Sequence, residues 1–422
     1  MLPYSRIASL LDEVCDISRG KKADRIAEFL RDLDQDLICP GVRLLVGGLW
    51  PLWEKREMNI GPDSLAQVLQ EISEENISLL KQNLGETGAV AEVALSRKTQ
   101  QLISRKPLDA LSVYHSLYRI SNQRGLESEH RKSAILRGLF LEASPLEGKY
   151  IARTVLRNIF AGLGPNVLLR ALAKAFDYDY DELRRAYGLL PELGILAQAA
   201  YRKEIKSIKI LPPRPIRPMT ILEGKPMFPG AYQIKYHGIR VQLHWIENEL
   251  YVYTSNLKDI TAALERLRKD ISELEQNFII DGQLIAFKDD LILPQSEVIG
   301  HINRKHPSKR SPVSLAVMSN DLIFLNGLDL TSFSYKERRS RLLSLLGEPK
   351  DLPFCGLAPA KEMILKDEKE FENFQLVTPE SGLSGLISRD LSGSYIPGEC
   401  SSHDFLIKRS GESLSNDRGS RV

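Results

Sequence analysis

The sequence has few cysteines, no long apolar run and almost no net charge. Its cysteines lie far apart and include no CxxC pair, which argues against a zinc knuckle or a disulfide framework. No stretch approaches the roughly 18 apolar residues of a membrane span, and the N-terminus lacks the apolar core of a secretion signal. We therefore expect a protein of the reducing cytoplasm that does not enter a membrane.

The near-absence of net charge limits what composition can say about partners. A charge of +2 over 422 residues gives no electrostatic case for a nucleic-acid partner, so any basic surface must be local. The hydrophobic content of 43% and charged content of 27% are typical of a globular chain. The length is sufficient for two or more domains.

Residues from about 5 to 205 carry a helical pattern, because apolar positions recur at three- and four-residue spacing. Two segments within it resemble each other, Glu86–Ala94 and Glu192–Ala200, each with a glycine followed by small residues. Such a glycine permits close approach of a backbone, and the first amides of a helix suit a phosphate. A helix-packing contact of small residues explains the same pattern.

The segment Leu211–Met219 contains four prolines and predicts a domain boundary, because proline stiffens a connection and ends helices. Beyond it, alternating residues predict strands at 232–245 and 250–253, and a second hairpin around 289–290. Helical stretches are expected at about 257–275 and 335–346, where Arg338, Arg339 and Arg341 should be exposed. The second half is thus predicted to be α+β with mostly antiparallel strands, and residues 411–422 a disordered tail.

The segment Gln233–Arg240 contains a lysine, a glycine three residues later and an arginine five residues later. This KxxGxR pattern resembles the nucleophile loop of the covalent nucleotidyltransferases. There the lysine amine attacks the α-phosphate of ATP, the glycine lets the loop turn beneath the nucleotide, and the arginine holds ribose or phosphate. Alone the pattern is weak, and a surface lysine on a strand is the more common case.

Other segments in the same order strengthen the resemblance. The chain is similar to archaeal and eukaryotic ATP-dependent DNA ligases at Arg214–Met219, Phe278–Ala286, Leu322–Thr331, Gly382–Asp390 and Asp404–Lys408. In the first half, the paired glycine segments, Ser128–Lys132 and Ser144–Arg153 resemble the helical DNA-binding domain of these ligases. The resemblance covers residues 5–409.

The resemblance implies a multi-domain architecture. An all-α DNA-binding domain (1–208) precedes an α+β adenylation domain (209–410), a nucleotidyltransferase with antiparallel sheets and an ATP-grasp-like fold. It implies Lys235 as the nucleophile, with ATP and Mg²⁺ as expected ligands. The nucleotide-binding residues carried over are Gln233, Lys235, Arg240, Gln283, Arg389 and Lys408. Double-stranded nicked DNA is the implied partner, with contacts at Gly88, Ser128, Lys132, Arg153 and Gly194.

Several positions depart from the family pattern in ways that change the chemistry. Acidic residues of the family are replaced at Gln233, His237, Gln283 and Ser384, and its stacking aromatic by Asn320. Further departures, including loss of a phosphate-binding arginine in the first domain, are Phe160, Asn256, Arg389, Phe405 and Ile407. Mg²⁺ prefers anionic oxygen ligands. The changes therefore place both ATP and Mg²⁺ binding in doubt, and no metal ligand is assigned.

The chain also stops where the OB-fold domain of these ligases is expected. Two functional hypotheses follow. The first is a ligase-family protein that binds nicked or damaged duplex DNA with lost or impaired ligation. It would act in repair, replication or recombination, with a protein partner of those pathways. The second is an active ligase that seals nicks through a Lys235–AMP intermediate, with a partner supplying the missing domain. An RNA ligase, a capping-type enzyme and a structural scaffold are further alternatives.

Overall fold

The computed structural model of the chain describes residues 1–98, 107–289, 291–304, 313–350, 356–377 and 383–407. Within these ranges the chain divides into two compact units. The first comprises residues 1–187 and 191–208, and the second comprises residues 188–190 and the described residues from 209 onward. Lys408 lies outside the described residues.

The described residues before 209 form twelve α-helices, which confirms the predicted all-helical first half. The helices α1 to α12 are Tyr4–Cys15, Arg19–Arg31, Gln35–Val46, Pro62–Ile72, Ile77–Leu84, Thr87–Ser96, Ala110–Ser121, Ser128–Glu142, Pro145–Val155, Pro165–Phe176, Tyr180–Leu189 and Leu193–Tyr201. Their apolar faces share one core, in which side chains such as Leu11, Leu30 and Leu168 are fully buried. The sequence marks helix starts plainly. For example, Ser144 and Glu147 form a reciprocal capping box beside Pro145.

The second unit is an α+β structure. Its strands β1 to β12 are Thr220–Glu223, Gly230–Tyr236, Ile239–Ile246, Glu249–Thr254, Phe278–Lys288, Leu291–Ile292, Ser314–Leu325, Leu328–Asp329, Gly356–Pro359, Glu362–Leu365, Leu383–Arg389 and Cys400–Ile407. Its helices α13 to α16 are Glu265–Asp270, Gln295–Ile302, Tyr335–Leu346 and Glu368–Val377. The predicted helix at 335–346 is confirmed, whereas only part of 257–275 is helical.

These strands form two sheets. The five-stranded sheet has the order β1-β12-β11-β2-β10, and the seven-stranded sheet has the order β4-β3-β5-β7-β8, with β6 on β5 and β9 on β7. The pairings are antiparallel except for β1 with β12 and β7 with β9. The prediction of mostly antiparallel strands is therefore confirmed.

The alternation read from 232 to 245 is not one continuous strand. The chain leaves the five-stranded sheet at Tyr236 and enters the seven-stranded sheet at Ile239, with His237 and Gly238 between them. A side chain at position 238 would clash, since its Cβ would lie 2.3 Å from the Leu284 carbonyl oxygen. Glycine thus allows the crossing to pass directly over β5.

Alternating residues of β5 face two different cores. Phe278, Ile280 and Leu284 pack beneath the seven-stranded sheet, while Ile285 and Phe287 pack against side chains of the five-stranded sheet. A strand with apolar residues on both faces must be central. On the face of β5 that carries Ile285 and Phe287, the apolar pattern is interrupted by Asp281 and Gln283. Their polar side chains are buried between the two sheets.

Two findings bear on the remaining expectations. Among the described residues, no helix is long and apolar enough to cross a membrane. The expected exposure of the arginines on α15 is wrong for two of them, because Arg338 is 1% and Arg339 is 7% exposed. Both guanidinium groups turn inward to bind acceptors between the sheets.

Burial of His244 on β3 makes the stability of the second unit dependent on pH. The side chain is fully buried against Tyr253, and neither ring nitrogen has a hydrogen-bond partner among the described residues. Burial lowers the pKa of His244 to about 3. Below its ordinary pKa of about 6.5 the unfolded chain binds a proton that the folded chain does not, so folding weakens as pH falls.

We expect the free energy of unfolding of the second unit to drop by about 1.4 kcal/mol per pH unit between about pH 6 and pH 5. Urea denaturation across this range measures the slope. His244→Phe removes the titrating ring and should flatten it. An unchanged slope in this variant would assign the pH dependence to other groups.

Candidate functional site

The predicted nucleotide residues of the second unit come together between its two sheets. Gln233 and Lys235 lie on β2 and Arg389 on the neighbouring β11, while Arg240 and Gln283 are cross-strand partners on β3 and β5. Five of the six candidate residues are therefore close in space. The sixth, Lys408, lies outside the described residues.

The loop that carries Lys235 is held by polar side chains on both sides. The Tyr236 amide donates to Oε1 of Gln283 at 2.9 Å, from the seven-stranded sheet. From the five-stranded sheet, the Ser384 hydroxyl donates to the carbonyl oxygens of Lys235 at 3.4 Å and of Tyr236 at 3.3 Å. Gln283 and Ser384 therefore position the loop backbone, and neither contributes a charge to the site.

Gln233 is fully buried, and its amide makes four hydrogen bonds within the protein. Its Nε2 donates to the Asn320 carbonyl at 2.9 Å and to the Tyr335 hydroxyl at 2.7 Å. Its Oε1 accepts from Asn320 Nδ2 at 3.3 Å and from Arg389 Nε at 3.4 Å. An amide has two donor hydrogens and two acceptor positions, so all of them are used.

Arg240 is paired with Asp281 on the adjacent strand. Its Nε donates to Oδ1 of Asp281 at 2.9 Å, and Oδ2 of the same carboxylate accepts from the Tyr395 hydroxyl at 2.8 Å. Burial acts to lower the pKa of Arg240, but the Asp281 carboxylate outweighs it and the pKa rises. Burial, followed by the same carboxylate, raises the pKa of Tyr395. Arginine and phenol thus remain protonated and both bind Asp281.

A second ion pair lies deeper, between Asp321 on β7 and Arg338 on α15. The guanidinium binds the carboxylate with two bonds, Nε to Oδ1 at 2.8 Å and Nη2 to Oδ2 at 3.0 Å. The side chains are 0% and 1% exposed. Nη1 of Arg338 also donates to the Phe333 carbonyl and, at 3.0 Å, to the Gly393 carbonyl. This geometry satisfies the desolvated charges and fastens the helix to the sheet.

Arg389 extends this network into the five-stranded sheet. Its Nη1 donates to Oδ2 of Asp404 at 2.9 Å and lies 4.0 Å from Oδ2 of Asp321. Burial acts against its charge, yet the carboxylates of Asp404 and Asp321 raise the pKa of Arg389. The predicted nucleotide-binding role of Arg389 must therefore compete with two buried carboxylates.

The last carboxylate at the site, Glu362 on β10, also has cationic and phenolic partners. It accepts from the Tyr335 hydroxyl and lies 3.6 Å from Nε of Arg339. Burial raises the pKa of Tyr335 well above its usual range, and the charge of Glu362 adds to this effect. The phenol is therefore a donor to Glu362 while it accepts a hydrogen bond from Gln233.

These pairings decide how well the site suits a divalent cation. The four carboxylates described above for this site are each paired with an arginine: Asp281, Asp321, Glu362 and Asp404. Within the described ranges no three His, Cys, Asp or Glu side chains form a cluster that could hold a metal ion. Because Mg²⁺ prefers anionic oxygens, a Mg²⁺ ion at this site would have to compete with an arginine for any of these four carboxylates.

In the helical unit, Glu86 occupies the start of α6. Its carboxylate accepts from the amides of Gly88 at 2.6 Å and Ala89 at 2.8 Å, and from Nη2 of Arg153 at 3.1 Å. Burial acts to raise the pKa of Glu86, but the Arg153 and amide hydrogen bonds lower it overall. A Cβ at position 88 would lie 2.7 Å from Cγ of Arg153, so glycine makes room for the arginine.

The second glycine segment uses the same arrangement at the start of α12. Glu192 accepts from the amides of Gly194 and Ile195, and its two oxygens bind Arg43 of α3 at 3.3 Å each. A Cβ at Gly194 would lie 2.9 Å from Cγ of Arg43. Carboxylates of the chain itself accept the amides of both glycines, so a phosphate would have to displace Glu86 or Glu192 to bind there.

The other predicted DNA contacts of this unit differ in accessibility. Lys132 is 4% exposed, and its ammonium binds Glu129 at 2.8 Å. Arg153 is shared between Glu86 and the rings of Tyr150 and Phe160. Ser128, at the start of α8, is partly exposed.

Sequence reasoning missed most of the buried network. It recognised positions 233, 283 and 389 but assigned no partner to Asp321, Arg338, Glu362 or Asp404. A usable signal was present: Asp321 interrupts the otherwise apolar end of β7, and an aspartate buried in a strand requires a donor. The identity of that donor depends on tertiary structure.

Comparison with known proteins agrees with this architecture. Residues 3–173 match the family described as DNA ligase N terminus, and residues 220–408 match the ATP dependent DNA ligase domain. The DNA ligase of Methanosphaera stadtmanae is 27% identical over 94% of this chain and 74% of its own length. That of Methanopyrus kandleri is 28% identical, with the same coverage.

Similar folds are found among solved structures. The structure named Pmar-Lig_PreS3 aligns with a TM-score of 0.51 over 96% of this chain and 78% of its own, at 13% identity. The related structure Pmar-Lig_Pre. gives the same TM-score over 97% of this chain, at 14% identity. At such low identity these matches concern the fold alone.

The buried Asp321–Arg338 pair predicts a large effect on stability. Asp321→Ala leaves an arginine of 1% exposure without its bidentate partner. We expect the free energy of unfolding of the second unit to fall by about 3–5 kcal/mol, measured by urea denaturation. The matched control is Glu249→Ala, which breaks an exposed pair with Arg268 and should cost less than about 1 kcal/mol. Equal losses in the two variants would contradict this assignment.

Proposed function

The chain belongs to the ATP-dependent DNA ligase family, and on that premise we propose that it binds nicked or damaged duplex DNA while its own ligation chemistry is impaired. The helical unit is the proposed DNA-binding part. The second unit is the proposed adenylation domain, whose nucleotide site is impaired. Such a protein would act in DNA repair, replication or recombination, with a protein of those pathways as a proposed partner.

The observation that carries the proposal is the pairing of the site's carboxylates with arginines. Asp281, Asp321, Glu362 and Asp404 all have a guanidinium within 4 Å. Coordination of Mg²⁺ would require one or more of these pairs to break within a low-dielectric interior. Breaking a buried pair costs about 3–5 kcal/mol. Mg²⁺ binding at this site would therefore be weakened by the cost of separating a carboxylate from its arginine.

The closed hydrogen bonding of Gln233 supports the same conclusion for the nucleotide. All four hydrogen-bonding positions of its amide are used within the protein, and its side chain is 0% exposed. A base could reach this amide only by displacing Asn320, Tyr335 or Arg389. Binding that leaves buried polar groups without partners is weakened by about 1–3 kcal/mol for each such group.

The proposed DNA contacts are revised by the structure. Ser128 and Arg153 remain candidates for phosphate contact. Ser128 is partly exposed, and the guanidinium of Arg153, a residue of α9, reaches Glu86 at the start of α6. Gly88 and Gly194 are proposed to act indirectly, by admitting the arginines that bind Glu86 and Glu192. Lys132 is proposed to support α8 through Glu129.

Intact-mass measurement after incubation with ATP and Mg²⁺ or Mn²⁺ tests the catalytic part of the proposal. We expect no AMP adduct, with or without nicked DNA, because the carboxylates of the site are paired with arginines and the amide of Gln233 is fully hydrogen-bonded within the protein. Lys235→Ala is the control for adduct position. An adduct on the wild-type chain that disappears in Lys235→Ala would overturn the proposed impairment.

Titration of labelled nicked duplex at increasing salt tests the binding part. We expect affinity to fall as salt rises, with a log–log slope set by the number of phosphates contacted, because bound phosphates release counterions. Arg153→Gln should reduce that slope by about one. Affinity no greater than that of an unrelated protein of similar net charge would end the proposal.

One observation favours the alternative of an active ligase. Lys235, Gly238 and Arg240 retain the spacing of the nucleophile loop, and Gly238 still makes the close approach to Leu284 that the loop requires. In that case an AMP adduct on Lys235 should form, and nick sealing should follow with a suitable partner protein. The mass measurement separates the two functions.

A further inference from the structure

A cavity of about 690 Å³ lies in the helical unit, apart from the nucleotide residues of the second unit. Three segments line it: residues 57–62 before α4, residues 85–87 at the start of α6, and the end of α9 with the loop that follows, 153–160. Its volume is within the range of about 300–1,000 Å³ typical of small-ligand sites. It is large enough for a nucleobase.

Phe160 on the rim of this cavity is unusual in two respects. Its side chain is 55% exposed, although burial of an aromatic ring normally stabilises a fold. Its backbone has φ of +58°, a left-handed conformation that bulky residues rarely adopt. Exposure and strain at the same residue suggest a functional role, since neither contributes to stability.

The loop that carries Phe160 is held in place by the contacts of its two neighbours in the sequence, Ile159 and Ala161. Ile159 is buried, and it lies so close to Gly47 that a Cβ there would be 2.5 Å from its Cγ1. The Lys22 ammonium donates to the Ala161 carbonyl at 2.8 Å and to the Cys15 carbonyl at 3.3 Å. The ring is therefore held in place before any ligand binds, which reduces the entropy lost on binding.

Two arginines complete the surface. The Arg153 guanidinium lies 5.3 Å from the centre of the Phe160 ring. Arg157, also left-handed at φ +54°, is exposed, and its guanidinium stacks 5.1 Å from the Trp50 ring centre. Among the described residues, Arg157 donates to one acceptor, the Arg56 carbonyl at 3.2 Å. Its remaining N–H groups are thus available to an anion.

Phe160 and Arg157 line the same cavity, and an exposed aromatic ring together with a cation that has unused donors suits a nucleotide whose base is not paired. Every base has a flat π face that stacks on such a ring, and its phosphate suits an arginine. Paired bases within an intact duplex do not expose this face. We propose that Phe160 stacks on an unpaired nucleobase next to a gap in the bound DNA, with the adjoining phosphate on Arg157.

This assignment rests on the proposed DNA-binding function and adds a preference for one DNA structure. Phe160 would determine specificity for unpaired bases, whereas Arg157 would contribute affinity. The two roles differ measurably. Loss of a base-stacking ring lowers affinity without changing how many counterions are released, while loss of a phosphate contact changes the salt dependence.

The test compares binding of a duplex containing a single-nucleotide gap with binding of the intact duplex. A 2-aminopurine at the unpaired position reports stacking by a decrease in its fluorescence. We expect Phe160→Ala to weaken gapped-duplex binding by about tenfold, to abolish the fluorescence decrease and to leave intact-duplex binding and the salt slope unchanged. Arg157→Gln should reduce the salt slope by about one.

Two control variants complete the design. Leu126→Ala removes another exposed apolar side chain of the same unit, 94% exposed, and should change neither measurement. Phe160→Trp keeps an aromatic face and should retain the preference for the gapped duplex. Equal binding of the gapped duplex by wild type and Phe160→Ala would overturn this inference alone. Failure of the wild-type chain to bind either duplex would overturn the proposed DNA-binding function as well.

Discussion

The Asp321–Arg338 pair is the interaction on which the second unit's polar interior depends. It joins α15 to β7 through two hydrogen bonds between side chains that water scarcely reaches. The same carboxylate lies 4.0 Å from Arg389, which connects it to Asp404 and to Gln233. A polar network of this kind is stable only when each member is satisfied. A nucleotide or metal ion that bound to Arg389 or to a carboxylate of this network would therefore disturb contacts that join the two sheets.

The helical unit uses charge in a more local way. At the starts of α6 and α12 a glutamate accepts two backbone amides and an arginine, and a glycine provides the space in which the arginine crosses. A negative charge at a helix N-terminus is favoured by the exposed amides and the helix dipole. The repeated glycine segments thus reflect packing of arginine and carboxylate. Of the two explanations that the sequence left open, one was a helix start that binds a phosphate and the other was a close packing contact. The structure has features of both, since an anion of the chain itself lies at each helix start and the glycine permits close packing.

The fold class could be predicted because local patterns determine it. Helical periodicity identified the first half, and a helix was predicted at about 335–346, where α15 begins behind a capping box formed by Ser334 and Glu337. The passage of the chain from one sheet to the other at His237–Gly238 could not be predicted, because the alternation of apolar and polar residues continues across it. Candidate site residues could be named from the sequence, but the partners of their side chains could not. Arg338 resembles any charged residue on a helix until the position of Asp321 is known.

The pairing of Arg389 with Asp404 has a consequence for how this sequence can change over time. Replacing the arginine alone would leave a buried aspartate that, among the described residues, keeps the amide of Asp390 as a donor, and replacing the aspartate alone would leave a buried cation. Each single step is unfavourable, although the double change need not be. The energetic effects of substitutions at the two positions should therefore be coupled, so that a change at one position is better tolerated when the other changes with it.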